Sequence, residues 1–299
     1  MKISILGTNG FLSSAIAKFA NKEGWTLIMY GLDEPKGHKY DAFYKINLMD
    51  SDLDCSSLLD SNIVIYAIGA GIQANLKEGF NLIYNLNVTV PVTICNKLKE
   101  LDYRGRFVTF GSYFEMGETK ESRFFTEKDI LTSTCPAPND YTVSKRMLSK
   151  FVASYKHDFT HWHFYIPTIY GAGENPKRLI PYVINAIRKG EELNFTAGDQ
   201  TRQYVHVSEI PRMLALAYEK NLPSGLYNIE GKETLTVKEI VSLIHHAMGK
   251  EMPEGCFGSV QRADVGMKFL ALDGSKLNKY IGFLANKQIE NSIMEYIKL

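Results

Sequence analysis

The pair Tyr141 and Lys145 is the part of this sequence best suited to chemistry. The two residues are four positions apart in the stretch Tyr141-Thr-Val-Ser-Lys145, so they share one face of a helix. An ammonium group held near a phenol favours the phenolate. We therefore expect Lys145 to lower the pKa of Tyr141 from about 10 toward neutrality, which suits a proton donor and acceptor.

Ser112 is a third candidate for the same site. It follows an apolar run, residues 107–110, and a glycine, so its hydroxyl is predicted at the carboxyl end of a strand. Ligands of open α/β sheets bind at that edge. We expect Ser112 to hydrogen bond the same substrate oxygen that Tyr141 protonates.

The N-terminal stretch MKISILGTNGFL predicts a nucleotide-binding turn. An apolar run ends at Gly7, Gly10 follows, and a helical pattern of apolar residues begins after it. Glycines at such a turn let the backbone approach a pyrophosphate at the helix N-terminus. Ser13 stands where this fingerprint has its third small residue. A dinucleotide-binding turn, combined with a tyrosine of lowered pKa at Tyr141, predicts hydride transfer at a carbinol or carbonyl carbon.

The end of the second predicted strand leaves the choice between NAD and NADP open. An acid that accepts a hydrogen bond from the adenosine ribose is common there, but this sequence has Tyr30, and Asp33 comes three residues later. Asp33 could bind the ribose. Lys36 and Lys39 could instead bind a 2′-phosphate, or all three could be solvated loop charges.

Strands and helices alternate along the sequence. Strands are predicted at 2–6, 26–30, 63–68, 106–110 and 163–166, and helices at 13–21, 81–98, 140–155, 179–188, 207–219 and 236–248. This alternation indicates an α/β protein with a Rossmann-type doubly wound parallel sheet. We predict a dinucleotide-binding domain at 1–166, to which part of 203–222 returns. Residues 167–299 would form mainly a smaller, interleaved α/β substrate lobe.

Composition narrows the class of protein. The 34 basic and 33 acidic residues nearly cancel, which argues against nucleic-acid or membrane-surface binding. The four cysteines form no CxxC pair, so we predict neither a metal site nor a disulfide framework. The N-terminal apolar run is too short for a signal peptide, and no segment reaches the ~18 apolar residues of a membrane span. We expect a cytoplasmic protein.

The ordered motifs resemble the extended short-chain dehydrogenase/reductase family, in its group of nucleotide-sugar epimerases, dehydratases and ketoreductases. The resemblance runs nearly end to end. Besides the glycine turn and the Tyr141/Lys145 pair, it is carried by Ala67-Ile-Gly-Ala70, Asn87-Val88, Pro167-Thr-Ile-Tyr-Gly171, the stretch from Gly198 to His206, and Arg262-Ala-Asp264.

This resemblance implies an NAD(P)-dependent oxidoreductase in which Ser112, Tyr141 and Lys145 are catalytic. The cofactor, NAD(H) or NADP(H), would be bound by Gly7, Thr8, Asn9, Gly10, Phe11, Leu12, Asn47, Leu48, Ala67, Tyr141, Lys145 and Pro167. A nucleotide-sugar substrate would be bound by Ser112, Tyr113, Arg202 and Arg262, because a bidentate guanidinium suits a diphosphate.

The resemblance also implies a homodimer, formed through the helices that contain Asn87 and Tyr141. Five apolar positions could serve such an interface or could pack on the sheet: Val88, Val92, Cys95, Leu148 and Val152.

The loop after Ser112 distinguishes branches of the family. Sugar 4,6-dehydratases resembling this family have an acid one or two residues after the catalytic hydroxyl, whereas this sequence has Tyr113 and Phe114. Glu115 comes next, and on an extended segment it would face the other way. We therefore favour reduction of the 4-keto group of a nucleoside-diphospho-4-keto-6-deoxy sugar. A 4-epimerase with tightly held NAD and a non-catalytic dinucleotide-sensing protein are the alternatives.

Overall fold

A seven-stranded parallel sheet forms the centre of the chain. The computed structural model describes residues 1–50, 53–72, 77–260 and 267–297. The strands of this sheet are β1 (Lys2–Leu6), β2 (Thr26–Gly31), β3 (Ala42–Lys45), β4 (Ile63–Tyr66), β5 (Arg106–Ser112), β7 (Thr160–Ile166) and β10 (Gly225–Asn228). Their order is β10-β7-β5-β4-β1-β2-β3. The order reverses at β1, whose neighbours are β4 and β2.

Helices cover both faces of this sheet, because successive residues of each buried strand point to opposite sides. On one face, α1 (Phe11–Lys22) and α7 (Glu209–Glu219) pack on residues such as Ile5 and Val108. On the other face, α3 (Val90–Glu100) packs on Val64 and Phe107. Here α2 (Phe80–Tyr84), a π-helical turn (Asn85–Thr89) and α3 follow one another without a break, and the first two contact α5 (Asp140–Ser154).

A smaller second sheet is formed mainly by the C-terminal part of the chain. Its strands are β11 (Glu233–Thr236), β9 (Thr201–His206), β12 (Phe269–Leu272) and β6 (Phe124–Phe125) in that order, with β8 (Thr168–Tyr170) paired to β9. The remaining helices are α4 (Glu127–Thr132), α6 (Leu179–Lys189), α8 (Val237–Ala247), α9 (Ser275–Ile281) and α10 (Ile289–Ile297). Of these, α6, α8 and α10 share an apolar core with Tyr170 and Tyr204.

The predicted fold class is confirmed: a doubly wound parallel sheet is accompanied by a smaller α/β lobe. One predicted element differs in detail, because the helix expected at 81–98 is interrupted by the π-helical turn. Such turns are frequent at functional sites. The division at residues 166 and 167 stays a prediction, although α7 lies against α1 and β10 extends the large sheet. Every helix of the described residues is too short or too polar to cross a membrane.

Candidate active site

The glycine turn lies at the point where the strand order reverses. Gly7 follows β1 and has a φ of 110°, and a Cβ there would lie 3.3 Å from the Ala67 carbonyl oxygen and 3.1 Å from Ile68. Only glycine adopts this conformation readily and leaves room for the end of β4. Crevices of this kind, at the carboxyl ends of parallel strands, bind nucleotides.

The turn leads directly into the N-terminus of α1, which begins at Phe11 with Gly10 as its N-cap. Gly10 has no side chain to cap the first N–H groups, and the first turn of the helix has no acidic residue. Ser13 is buried and donates a 3.0 Å hydrogen bond to the Gly10 carbonyl, as expected of a small residue at the helix–strand contact. The free N–H groups and the helix dipole therefore suit a pyrophosphate.

Side chains next to this turn order the loop after β2. Asn9 donates to the Glu34 carbonyl at 3.0 Å and accepts from the Lys36 N–H at 2.9 Å. Thr8 packs so closely on Gly31 that a Cβ at Gly31 would lie 2.8 Å from the threonine methyl group. Tyr30 points into the core, where its hydroxyl donates to Ser57, so it does not replace the ribose-binding acid.

The other predicted cofactor residues lie at the same edge. Asn47 follows β3, and its side-chain oxygen accepts from the Met49 N–H at 3.1 Å, while Leu48 packs on the core beneath. Ala67 continues β4 and donates its N–H to the Leu6 carbonyl at 2.9 Å. Pro167 follows β7 and lines the cavity described below. The glycine turn and the uncapped N-terminus of α1 fit a dinucleotide.

Asn87 connects the loop after β4 to the helix that contains Tyr141. It lies in the π-helical turn, is buried, and exchanges hydrogen bonds with the N–H and the carbonyl of Ala70. Its amide also donates to the Ser144 hydroxyl at 2.9 Å. Sequence analysis matched Asn87 to a family helix but did not assign it this connecting role.

A cavity of about 360 Å³ lies beside the ends of β5 and β7. Among the described residues, no carboxylate lines it, and its polar side chains include the predicted Ser112, Tyr113 and Tyr141. Tyr113 is buried, and its hydroxyl hydrogen bonds that of Thr168. The Tyr141 phenol and the Ser112 hydroxyl therefore line the same cavity.

The expected low pKa of Tyr141 is wrong for this arrangement. Burial is the largest influence and raises the pKa of Tyr141 above its ordinary value. The hydrogen bond with the Ser112 hydroxyl opposes this shift. Lys145 does not contact the phenol directly, because its Nζ lies 5.8 Å from the Tyr141 ring centre and donates to the Phe110 carbonyl at 2.9 Å. Tyr141 is therefore a neutral phenol, the form that donates a proton.

Lys145 and Glu115 form a buried pair of opposite charge behind the cavity. Burial lowers the pKa of Lys145 to about 8, and the nearby Glu115 opposes that shift. Burial raises the pKa of Glu115 to about 7, against the hydrogen bonds from Ser149 and from the Ser112 N–H and the charge of Lys145. Burial thus moves the pKa values of both groups toward neutrality.

The segment after Ser112 is a 3₁₀ turn, Tyr113–Met116, so the expected extended geometry is wrong. The turn forms because the Ser112 hydroxyl accepts from the Phe114 N–H while Glu115 accepts from the Ser112 N–H. Glu115 is turned away from the cavity into the protein. There it accepts a hydrogen bond from Ser149, whose hydroxyl also lies 3.0 Å from His163.

Two arginines flank the buried Tyr113. Burial raises the pKa of Tyr113, and the charge of Arg202 opposes that shift; Arg202, on β9, donates to the Thr201 carbonyl at 2.8 Å. Arg178, just before α6, lines the cavity and pairs with the buried Glu174 at 3.1 Å. Arg178 was not among the predicted site residues, although its place at a predicted helix start was a usable signal. Arg262, the other predicted arginine, lies outside the described residues.

Comparisons with known proteins agree with this geometry. A family model described as the NAD dependent epimerase/dehydratase family matches residues 3–229. A protein of Salmonella typhimurium named CDP-abequose synthase is 21% identical over an alignment of 316 residues. The alignment covers 99% of this chain and 97% of that protein. The resemblance identified from the motifs and the nicotinamide dinucleotide cofactor are confirmed.

Solved structures show the same fold at low identity. The UDP-N-acetylglucosamine 4-epimerase of Methanobrevibacter ruminantium, in complex with UDP-N-acetylmuramic acid, has a TM-score of 0.83 at 16% identity, over 99% of this chain and 97% of that one. The UDP-glucose 4-epimerase of Thermus thermophilus, in complex with NAD, has a TM-score of 0.80 at 17% identity, over 100% and 98%.

Proposed function

The chain belongs to the NAD dependent epimerase/dehydratase family, and from that premise we propose that it reduces the 4-keto group of a nucleoside-diphospho-4-keto-6-deoxy sugar. A relative matching nearly its whole length is named CDP-abequose synthase, a 4-ketoreductase. That name supports a cytidine diphosphate sugar as the first substrate to test.

The observation that carries this proposal is the loop after Ser112. Elimination of water from a sugar needs an acid and a base at the reacting carbons. The described residues that line the cavity include no carboxylate, and Glu115, the carboxylate in the loop after Ser112, is turned away to bind Ser112 and Ser149. A serine and a neutral phenol suffice for reduction, which needs one hydride and one proton.

In the proposed reaction, a reduced nicotinamide held at the glycine turn and the start of α1 would supply the hydride to the carbonyl carbon. Tyr141 donates its proton to the oxygen as negative charge develops there, and Ser112 donates a hydrogen bond to the same oxygen. The buried ammonium of Lys145 stabilises the phenolate that remains, since a nearby positive charge favours the charged form. Holding the carbonyl oxygen in this position lowers the activation free energy by several kcal/mol.

The residues that would hold the cofactor are those of the glycine turn, the start of α1 and the adjoining strand ends. Gly7 and Gly10 allow the backbone to approach the diphosphate, and Lys145 lies within reach of the loop at Gly69. On the other side of the cavity, Arg178 suits the diphosphate of the sugar nucleotide, and Arg202, whose charge acts on Tyr113, is a further predicted partner of that diphosphate. Arg262 stays a predicted partner of that group.

The test is to supply purified protein with CDP-4-keto-6-deoxyglucose and with NADH or NADPH, following the absorbance of the reduced nicotinamide. We expect stoichiometric oxidation of the cofactor and formation of one reduced sugar nucleotide. A matched reaction without cofactor should show no turnover, because a ketoreductase must exchange its cofactor in every cycle.

Two other outcomes would replace this proposal. Cofactor that stays bound through purification, with redox-neutral interconversion of two sugar nucleotides, would identify a 4-epimerase. Binding of dinucleotide without turnover of any sugar nucleotide, and a Tyr141→Phe variant that behaves like the parent, would identify a sensing protein.

We also propose a homodimer formed through α2 and α5. Phe80 on α2 and Met147 on α5 are exposed apolar side chains on helices that contact each other. Among the five positions considered from the sequence, Cys95, Leu148 and Val152 are buried within the chain, which leaves Val88 and Val92 for an interface. Sedimentation at working concentration tests this, and a clean monomer would contradict it.

A further inference from the structure

Three potential metal ligands meet on the sheet face covered by α3, away from the cavity. The Sγ atom of Cys95, on α3, lies 3.2 Å from Nε2 of His157 and 3.7 Å from Nδ1 of His161. All three atoms lie within 4.8 Å of one another. His161 is near the start of β7, about 16 Å along the strand from its carboxyl end.

These distances match those of a zinc site. Zinc binds a cysteine sulfur at about 2.3 Å and a histidine nitrogen at about 2.0–2.1 Å, so tetrahedral ligands of these types are about 3.6 Å apart. The two sulfur–nitrogen distances lie on either side of that value. A small adjustment of the His157 side chain would admit the ion.

Neighbouring side chains hold the imidazole rings of His157 and His161 in place. The second nitrogen of His161 lies 3.0 Å from the Thr109 hydroxyl, which in turn lies 2.8 Å from His163. Polar partners of this kind orient the histidine ligands of metals. The ring of His157 is stacked on Phe159, with centres 4.8 Å apart.

Three protein ligands would leave the fourth coordination position of a zinc ion free. Within the part of the chain that the structure describes, no further Cys, His, Asp or Glu joins the cluster. His157 and His161 line a cavity of about 600 Å³ that also contacts Ser224 and Lys276. Three protein ligands and one open position are typical of zinc sites at which a water or another small ligand completes the tetrahedron.

We propose that Cys95, His157 and His161 form a zinc site whose fourth position is open to the cavity. On binding, the ion forms one Zn–S bond and two Zn–N bonds, and the thiol proton is released to solvent. The metal then links α3 to the start of β7 and to the segment between α5 and β7. Because it binds the folded chain, it should raise the stability of the protein.

The test uses the full chain after treatment with a chelator and removal of any polyhistidine tag. Calorimetric titration with Zn²⁺ should show one ion per chain. Thermal unfolding should show a higher melting temperature with Zn²⁺ than without it. Co²⁺ should produce a thiolate-to-metal charge-transfer band. Cys95→Ser should weaken Zn²⁺ binding by at least ~100-fold and abolish that band, and His157→Ala should weaken binding by at least ~10-fold.

Matched controls separate this site from adventitious binding. Cys135→Ser changes a part-buried cysteine outside the cluster, and His246→Ala removes an exposed histidine, so both should bind Zn²⁺ like the parent. Failure of the parent to bind Zn²⁺ saturably would overturn the proposal. So would saturable binding that Cys95→Ser and His157→Ala leave unchanged. If Cys95→Ser does not fold, as judged by circular dichroism, the His157→Ala result decides. None of these readouts depends on sugar-nucleotide reduction.

Discussion

The carboxylate of Glu115 holds the backbone of Ser112, whose N–H donates to Oε1 at 2.8 Å. The other carboxylate oxygen accepts from the Ser149 hydroxyl, and the whole side chain is buried. The position of the candidate catalytic hydroxyl therefore depends on a carboxyl group that does not face the cavity.

Replacing Glu115 with alanine should separate this positioning role from general packing. Glu115→Ala leaves the Ser112 N–H and the Ser149 hydroxyl without this acceptor, so the free energy of unfolding should fall by about 1–3 kcal/mol and kcat should fall as well. Glu115→Gln keeps an oxygen for the Ser112 N–H and should retain most of both. Urea unfolding and turnover measure the two effects, and equal kcat values for the two variants would contradict the role.

The ionisation of Glu115 should make stability depend on pH. Burial raises its pKa from 4.5 to about 7, so the folded chain binds the proton more tightly than the unfolded chain. The stability from this group is greatest below pH 4.5 and is lost as the pH rises to about 7. Urea unfolding at about pH 5 and about pH 7.5 should show this loss in the parent. Glu115→Gln should show less of it, and an equal loss in both would count against the assignment.

Tyr141→Phe should remove the proton donor and little else. The substitution deletes one oxygen from a buried residue of the cavity, so affinity for the dinucleotide should stay nearly unchanged. Turnover should fall by ~10²-fold or more, as expected when a general acid is lost. Cofactor titration and steady-state kinetics on the same preparation test this, and unimpaired turnover would remove Tyr141 from the mechanism.

Lys145 should give the pH–rate profile an alkaline limb. Burial lowers its pKa to about 8, so the ammonium is charged below that pH and is lost above it. Since the charge stabilises the phenolate form of Tyr141, kcat/KM for ketone reduction should decline as the pH rises through about 8. Lys145→Met should be slower at every pH and lack this limb. A limb that persists in the variant would have to belong to another group.

Gly7→Ala should damage the cofactor site more than alanine at another glycine of positive φ. Gly7 has a φ of 110° and its Cβ would crowd Ile68 and the Ala67 carbonyl, whereas Gly24 has a φ of 66° and open space around it. Both alanine variants should lose about 1–3 kcal/mol of stability from backbone strain. Only Gly7→Ala should also weaken dinucleotide binding, by at least ~10-fold. Similar dissociation constants for the two variants would contradict the assignment of this turn.

Short-range patterns in the sequence were enough to predict the parallel-sheet class, five of the seven strands of the large sheet and its main helices, but not β3 or β10. The four-residue spacing of Tyr141 and Lys145 determines that they share a helix face, and the glycines at 7 and 10 determine a strand–turn–helix junction. Both follow from backbone geometry over a few residues. Ser112 was predictable because a hydroxyl ended an apolar strand.

Contacts between distant parts of the chain decided the rest. Whether Glu115 faces the cavity depends on its partner Ser149, 34 residues away, and burial rather than Lys145 sets the pKa of Tyr141. Cys95 and His157 are 62 positions apart, so the spacing of the cysteines could not reveal their meeting. Local propensity carries no information on such contacts, because packing of the helices on the sheet brings these groups together and excludes water from them.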